Sequence, residues 1–432
     1  MTTTESSPTR YRIHPAWWVA GVGFLTIIGA AAFRAAPSVL IDPLHASFGW
    51  SHSAISLAIT VNLVLYGVTA PFSAALMDRF GIRSVVGVAL TMIAAGSLFT
   101  VFMKSSWELV VYWGIMVGLG TGCMAMAFAA TIATRWFVAR RGLVTGILTA
   151  AGATGQLVFL PVLANLATNA GWQSVSWTVG LTALAVVPLV LWMVRDRPED
   201  LGLMPYGATE PSTIVIPTVN PARRAIGVLA TAARHRTFWL LAGGFAICGA
   251  STNGLVGTHF VAATGDHGMP ATVGAGLLAV IGIFDIIGTI ASGWLTDRFD
   301  SRRLLAVYYG LRGLSLLFLP ALMADSLQPP MLFFIIFYGL DWIATVPPTV
   351  ALCRQHFGDA DGPIVFGWVL AAHQVGAGAI ALTAGIIRDE LGSYDLAWYI
   401  AGALCAVATI LSLRIRRFTT ETPARVEPVP HR

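Results

Sequence analysis

Long unbroken apolar runs, separated by short clusters of Arg, Asp, Gly and Pro, make up most of the chain. They lack the strict alternation of a half-buried strand and predict helices. Read between their charged or Pro/Gly-rich breaks, the runs place six spans near 16–41, 53–76, 84–103, 107–134, 142–167 and 173–194. Six more lie near 237–263, 271–295, 303–323, 331–352, 364–387 and 394–413. A helix needs roughly 20 mostly apolar residues to cross a ~30 Å hydrocarbon core, in which an open backbone finds no hydrogen-bond partner. The chain is therefore read as an all-α membrane protein of twelve transmembrane helices. The first run, Trp17 to Ile41, is too long for the core of a cleaved leader, carries Arg34 and shows no small-residue cleavage pattern, so it is read as a span.

After residue 194 the composition turns charged and then Thr/Pro-rich, which divides the chain into an N-terminal tail (1–15), a first six-helix half (16–194), a linker (195–236), a second half (237–413) and a C-terminal tail (414–432). Ala222 to Arg236 alternates Arg with apolar residues and is expected to lie as an amphipathic helix on the membrane surface. Residues 1–8 and 419–432 are polar and expected to be disordered. Nearly all Arg residues outside the spans, from Arg10 and Arg12 through Arg79, Arg83, Arg135, Arg195, Arg298 and Arg354 to Arg417, fall on the side of the termini, against only Lys104 and Arg388 on the other. Positively charged loops stay in the cytoplasm, so both termini are expected there, in a multi-pass protein of the plasma (inner) membrane.

The composition adds an exclusion. With 56% hydrophobic and 11% charged residues and a mean hydropathy of +0.74, the chain has too little polar surface for a soluble globule of 432 residues. The net charge of +5 reflects topology, and no nucleic-acid partner is inferred. Cys123, Cys248, Cys353 and Cys405 lie on separate helices without metal-ligand spacing, so neither a metal site nor a disulfide is expected.

The six residues Asp78-Arg79-Phe80-Gly81-Ile82-Arg83 recur 219 residues later as Asp297-Arg298-Phe299-Asp300-Ser301-Arg302, and Arg135 and Arg354 share that offset. Two coincidences at one offset point to a duplicated half. Glycines at helical spacing (Gly114, Gly118, Gly122; Gly142, Gly146; Gly152, Gly155; Gly376, Gly378) would let helix backbones approach closely, either for packing or to let the halves rock.

On these residues the chain resembles the major facilitator superfamily over 12–417. Ala74 to Arg83 is similar to the family's loop between helices 2 and 3, and Gly293, Asp297 and Arg298 keep the pattern in the second copy. The resemblance implies the major facilitator fold, two halves around a central cavity. It also implies a conformational latch of Asp78, Arg79, Gly81, Arg83, Asp297 and Arg298 that pins the halves together on the cytoplasmic side while the transporter is open outward. Phe33-Arg34, Asp42-Pro43-Leu44, Phe48-Gly49-Trp50-Ser51 and Arg195 to Leu203 are similar to the monocarboxylate-transporter-like branch, bacterial type. In carboxylate-carrying relatives an Asp of helix 8 is followed one turn later by the Arg that binds the substrate; here Asp285 is followed by Thr289. The Gly-Pro pair of the antiporter motif is also unmatched, since Leu160 precedes Pro161, and this favours symport or uniport.

Charged groups near the bilayer centre cost several kcal/mol and mark function unless they are paired. Four are found: Arg34, Asp285, Arg312 and Asp341. Arg312 can pair with Asp285, with Asp341 or with both, as a structural ion pair or as the cation that replaces the missing Arg. His259 and His373 are candidate titrating groups or packed interface residues, and the resemblance implies that His259, in Thr258-His259-Phe260, faces the cavity. Asn62, Tyr66, Asn253 and Gln156 are further candidates for its lining. No nucleotide loop, nucleophile motif or cofactor site is read, so the chain is not read as an enzyme. The expectation is a monomeric secondary transporter that works by alternating access and moves a small organic anion together with protons. Arg34, His259, Arg312, His373, Tyr66 and Asn62 would hold the anion, and Asp285 and Asp341 would couple protons. The alternatives are a proton-driven exporter of a drug or metabolite and a transporter-like sensor.

Overall fold

A computed structural model describes residues 14–124, 126–210 and 220–417. The tails expected to be disordered, and the Pro/Thr-rich part of the linker, fall almost wholly outside these residues. The first half consists of α1 (Pro15–Phe48), α2 (His52–Phe80), α3 (Ile82–Thr100), α4 (Ser106–Trp136), α5 (Arg141–Ala170) and α6 (Trp172–Met193). The linker helix Pro221–Ala232 is followed by α7 (Arg236–Asp266), α8 (Ala271–Thr296), α9 (Ser301–Leu322), α10 (Pro329–Gly358), α11 (Ala360–Leu391) and α12 (Asp395–Leu413). Eleven of these, searched over the described residues, are long and apolar enough to cross a bilayer, and the 30-residue α5 occupies the place of the fifth span. Both ends of the described chain lie at one end of the bundle, called here the terminal side.

Exposed aromatic residues mark both rims. Trp18, Trp192, Trp239 and Trp294 lie toward the terminal side, and Phe102, Trp107 and Phe333 toward the far side. Such rings sit where the apolar core of a bilayer meets water.

The halves meet along α2 against α11 and α5 against α8. Within the first half, α4 lies so close to α2 that a Cβ on Gly118 would stand 2.9 Å from the Cα of Asn62, and Gly114 and Gly122 are similarly crowded by α2. Gly376 of α11 faces the backbone of Ala246 in α7 with no room for a Cβ. These glycines serve close packing, whereas Gly146 meets nothing within 4 Å.

Helix ends differ from the sequence expectation in informative ways. α1 runs past the expected end near 41 to Phe48, ending on Gly49 in the left-handed region (φ 68°), so Asp42 lies within the helix. α4 and α7 each contain a π-helical stretch, Val110–Val117 and Ala250–Val256. Such widened turns are frequent at functional sites.

Candidate functional site

α10 breaks in mid-membrane. It stops at Asp341, turns through residues 342–345 and resumes as a helix at Val346. Pro347 and Pro348 have no N–H, so the carbonyls of Ile343 and Ala344 lose their usual donors four residues on. In a bilayer each freed group must find a partner inside the protein. The Ile343 carbonyl accepts from the amide of Val346 at 2.8 Å, and the Ala344 carbonyl from the Ser292 hydroxyl of α8 at 2.5 Å. The amide of Ile343 donates to Asp285 Oδ1 at 3.0 Å, and the same oxygen accepts from Thr289 Oγ1 at 3.1 Å.

Arg312 of α9 supplies the rest. Its Nη2 donates to the carbonyls of Asp341 and Trp342 at 2.6 and 3.3 Å, and its Nε to Asp341 Oδ2 at 2.5 Å. Its Nη1 donates to Cys248 Sγ at 2.9 Å and Ser251 Oγ at 3.5 Å in α7. The side chain is 0% exposed and every guanidinium nitrogen is engaged, which leaves no donor for a ligand in this conformation. The missing cation of α8 is therefore not replaced by a free Arg312. The arrangement of Pro347, Pro348, Ser292, Asp285 and Arg312 instead holds the two pieces of α10 together. One atom stands out: Asp341 Oδ1 is buried without a partner.

Arg34 differs from the other three charges. It lies midway along α1 and is exposed, although Phe33, Ala35 and Ala36 beside it are buried. Among the described residues it makes no hydrogen bond or ion pair. Asp285, in the opposite half, lies within electrostatic range of it. Asn62 is half-buried, with its amide nitrogen committed to the Trp113 carbonyl at 2.8 Å. Tyr66 is half-buried one turn further along α2. His373 is nearly buried, with Nε2 at 3.4 Å from the Asn253 amide and Nδ1 unpartnered.

His259 does not face a cavity here. It is 0% exposed, its Nε2 lies 2.9 Å from the Ala381 carbonyl of α11, and its ring is 5.1 Å from that of Tyr394. It is a packed interface histidine between α7 and α11.

The duplicated loops take different forms. Asp78 pairs with Arg135 Nη2 at 2.5 Å, both in the first half, and the Arg83 amide donates to Asp196 Oδ1 at 3.0 Å. Gly81, at φ 83°, is pressed against the Asp196 carboxylate, so a side chain there is excluded twice. Asp196 belongs to the segment after helix 6, and nothing in the spacing of the sequence marks it as the residue that docks on this loop. Arg79 lies over the ring of Phe80 at 5.3 Å. In the second copy Arg298 lies 4.0 Å from the ring of Trp294 and donates to its carbonyl at 3.0 Å. The Asp297 amide donates to the Gly293 carbonyl at 3.3 Å, while its carboxylate makes no hydrogen bond or ion pair among the described residues. Asp300 and Arg302 form a two-pronged pair with bonds of 3.1 and 2.6 Å, and the Arg302 guanidinium holds the Asp300 carboxyl below the usual carboxylate range.

The sequence profile of the Major Facilitator Superfamily matches residues 22–361. The chain belongs to this superfamily. It is a major facilitator transporter, a twelve-helix protein of the membrane. It is 27% identical over 372 residues to the uncharacterized MFS-type transporter YcxA of Bacillus subtilis, covering 85% of this chain and 87% of that one. It is 25% identical over 378 residues to monocarboxylate transporter 13 of Rattus norvegicus, covering 86% and 82%. Among solved major facilitator structures, a D-xylose-proton symporter superposes with a TM-score of 0.70 at 16% identity, covering 94% of this chain and 98% of that one. A bacterial homologue of the lysosomal transporter Spinster, inward-facing and unoccupied, superposes with a TM-score of 0.68 at 15% identity, covering 96% and 99%. At these identities the solved structures speak for the fold alone.

Proposed function

We propose that this major facilitator protein carries a small organic anion, of the monocarboxylate class, together with a proton across the plasma membrane, with both termini cytoplasmic and the monomer as the working unit. The observation that carries the reading is Arg34, an exposed cation midway along α1 with no side-chain partner among the described residues, within electrostatic range of Asp285 in the opposite half. An uncompensated charge at that depth costs several kcal/mol, and a bound anion removes the cost. Similarity to proteins named as monocarboxylate transporters supports the choice of anion.

The substrate carboxylate pairs with the Arg34 guanidinium in a two-pronged contact. The Tyr66 hydroxyl and the Asn62 amide, whose nitrogen keeps a second N–H beyond its bond to the Trp113 carbonyl, line the approach. Asp285 and Asp341 couple the proton. Protonation at Asp341 weakens the Arg312 pair, loosens the joint of α10 and lets the terminal-side part of that helix move. Arg312 thus acts through Asp341 and α10, and His259 acts by packing. Proton-driven export of a drug or metabolite remains the competing direction of transport on the same scaffold.

Uptake of labelled short carboxylates into proteoliposomes, with and without an inward proton gradient, tests the proposal. Gradient-stimulated uptake that Arg34→Ala abolishes is expected. Uptake indifferent to the gradient removes the proton from the scheme, and no carboxylate uptake by intact protein removes the anion.

A further inference from the structure

At the far side, three elements converge on one imidazole. His52, the first residue of α2, is only 6% exposed, with Nδ1 at 3.0 Å from Asp389 Oδ1 of α11 and Nε2 at 3.7 Å from Asp42 Oδ1 of α1. Asp389 belongs to the second half yet caps a helix of the first, because the backbone amides of His52 and Ser53 both donate to its carboxylate at 2.8 Å. A carboxylate on a helix N-terminus satisfies orphan donors and lies favourably in the helix dipole. The two halves are therefore joined here by a cap that lasts only while the far side is closed.

The imidazole makes that joint sensitive to protons. A neutral ring has one donor and one acceptor, so it can donate to one carboxylate but presents a lone pair to the other. Only the imidazolium turns an N–H toward both carboxylates, bonded to Asp389 at 3.0 Å and at ion-pair distance, 3.7 Å, from Asp42. The other charged or titratable groups around it are His45 of α1, whose ring centroid is 4.5 Å away, and Asp266 and His259 of α7. Arg388 of α11 and Tyr394 also face the cluster. Arg388 is taken up by Asp266 in two bonds of 2.7 and 2.8 Å, which leaves Asp42 and Asp389 to His52.

We infer that His52 is a proton-binding site of the far-side gate: a proton taken up there bridges the halves and favours the closed far side, and its loss releases them. The inference rests on the alternating-access reading and not on the identity of the substrate. It adds a site of proton action separate from Asp285 and Asp341, on the face that the charge pattern assigns to the cell exterior.

The test is a distance measurement that needs no transport. Spin labels are placed on cysteines introduced at the exposed Gln173 and Gln328, near the far-side ends of the two halves, with Cys123→Ser removing the native cysteine that is not buried. In the wild-type background the short-distance population should grow relative to the long one as the pH falls from about 8 to about 5, by up to about tenfold per pH unit for a single proton. His52→Gln should abolish this response and His45→Gln should keep it. Asp389→Asn, which keeps one acceptor oxygen for the cap but removes the charge, should abolish it as well. Persistence of the pH response in His52→Gln, its loss in His45→Gln, or its absence from the wild type overturns the inference. Because the distances are read on bare protein, a failed carboxylate assay leaves this result standing, and the reverse also holds.

Discussion

Replacing Arg312 by Ala is expected to break the protein's stability before it touches substrate recognition. The substitution leaves the Asp341 carboxylate buried without its cation, and removing one partner of a buried pair costs about 3–5 kcal/mol. The carbonyls of Asp341 and Trp342, which accept from Arg312 at 2.6 and 3.3 Å, lose their donor, each at about 1–3 kcal/mol when buried. These costs overlap, since the freed piece of α10 relaxes, and about 4 kcal/mol is the working figure. At about 1 °C per kcal/mol for a chain of 432 residues, the melting temperature in detergent should fall by about 4 °C. Arg312→Lys should restore little, because an ammonium cannot reach two carbonyls and a carboxylate as a planar fork does. Arg312→Met combined with Asp341→Leu should recover part of the loss, since no charge is then stranded. The assay is thermal unfolding followed by fluorescence and monodispersity. An Arg312→Ala protein that melts like the wild type but no longer binds substrate would refute the reasoning and make Arg312 a ligand-binding residue.

Three further outcomes follow from the same geometry. Gly249→Ala would drive a methyl into the backbone carbonyl of His373 on α11, which cannot retreat without moving the helix, so thermal unfolding should occur about 1–3 °C lower, at a cost of about 1–3 kcal/mol. Gly81→Ala meets both the φ of 83° and the Asp196 carboxylate, and should cost at least 1–2 kcal/mol in melting assays by undocking the loop. Asp300 has its carboxyl lowered in the folded protein chiefly by its bond to Arg302, so its stabilising contribution is present above the unfolded value of about 4 and is lost as pH falls through the folded one. Asp300→Asn, which keeps the cap on the Arg302 amide, should flatten the acid limb of a melting-temperature profile by no more than about 1 kcal/mol.

The number, order and class of the helices were legible because burial in lipid demands long apolar runs, and charged or Pro/Gly-rich breaks mark their ends. Residues that act across distance were not. The apolar run ends near residue 41, yet α1 continues to Phe48 and carries Asp42 to His52. Pro347-Pro348 announced a bend, but the sequence could not show that Ser292, Asp285 and Arg312 would meet the freed groups, since those contacts are 29 to 58 residues apart. The four intramembrane charges were visible as a set. Only their geometry separates the three that hold α10 from Arg34. The duplicated loops look alike in letters, but Asp196 docks on the first while Asp300 and Arg302 pair within the second. The cap of Asp389 on α2 joins residues 337 positions apart and leaves no local signal.

Binding of short labelled carboxylates to purified protein, wild type against Arg34→Ala and Arg34→Lys, addresses the role of Arg34 most directly. A charge-assisted hydrogen-bonded contact is worth about 1.5–3 kcal/mol, so Arg34→Ala should weaken binding about tenfold to a hundredfold, with Arg34→Lys in between, while the melting temperature stays within a few degrees of wild type. Unchanged carboxylate affinity in a well-folded Arg34→Ala protein would contradict the account.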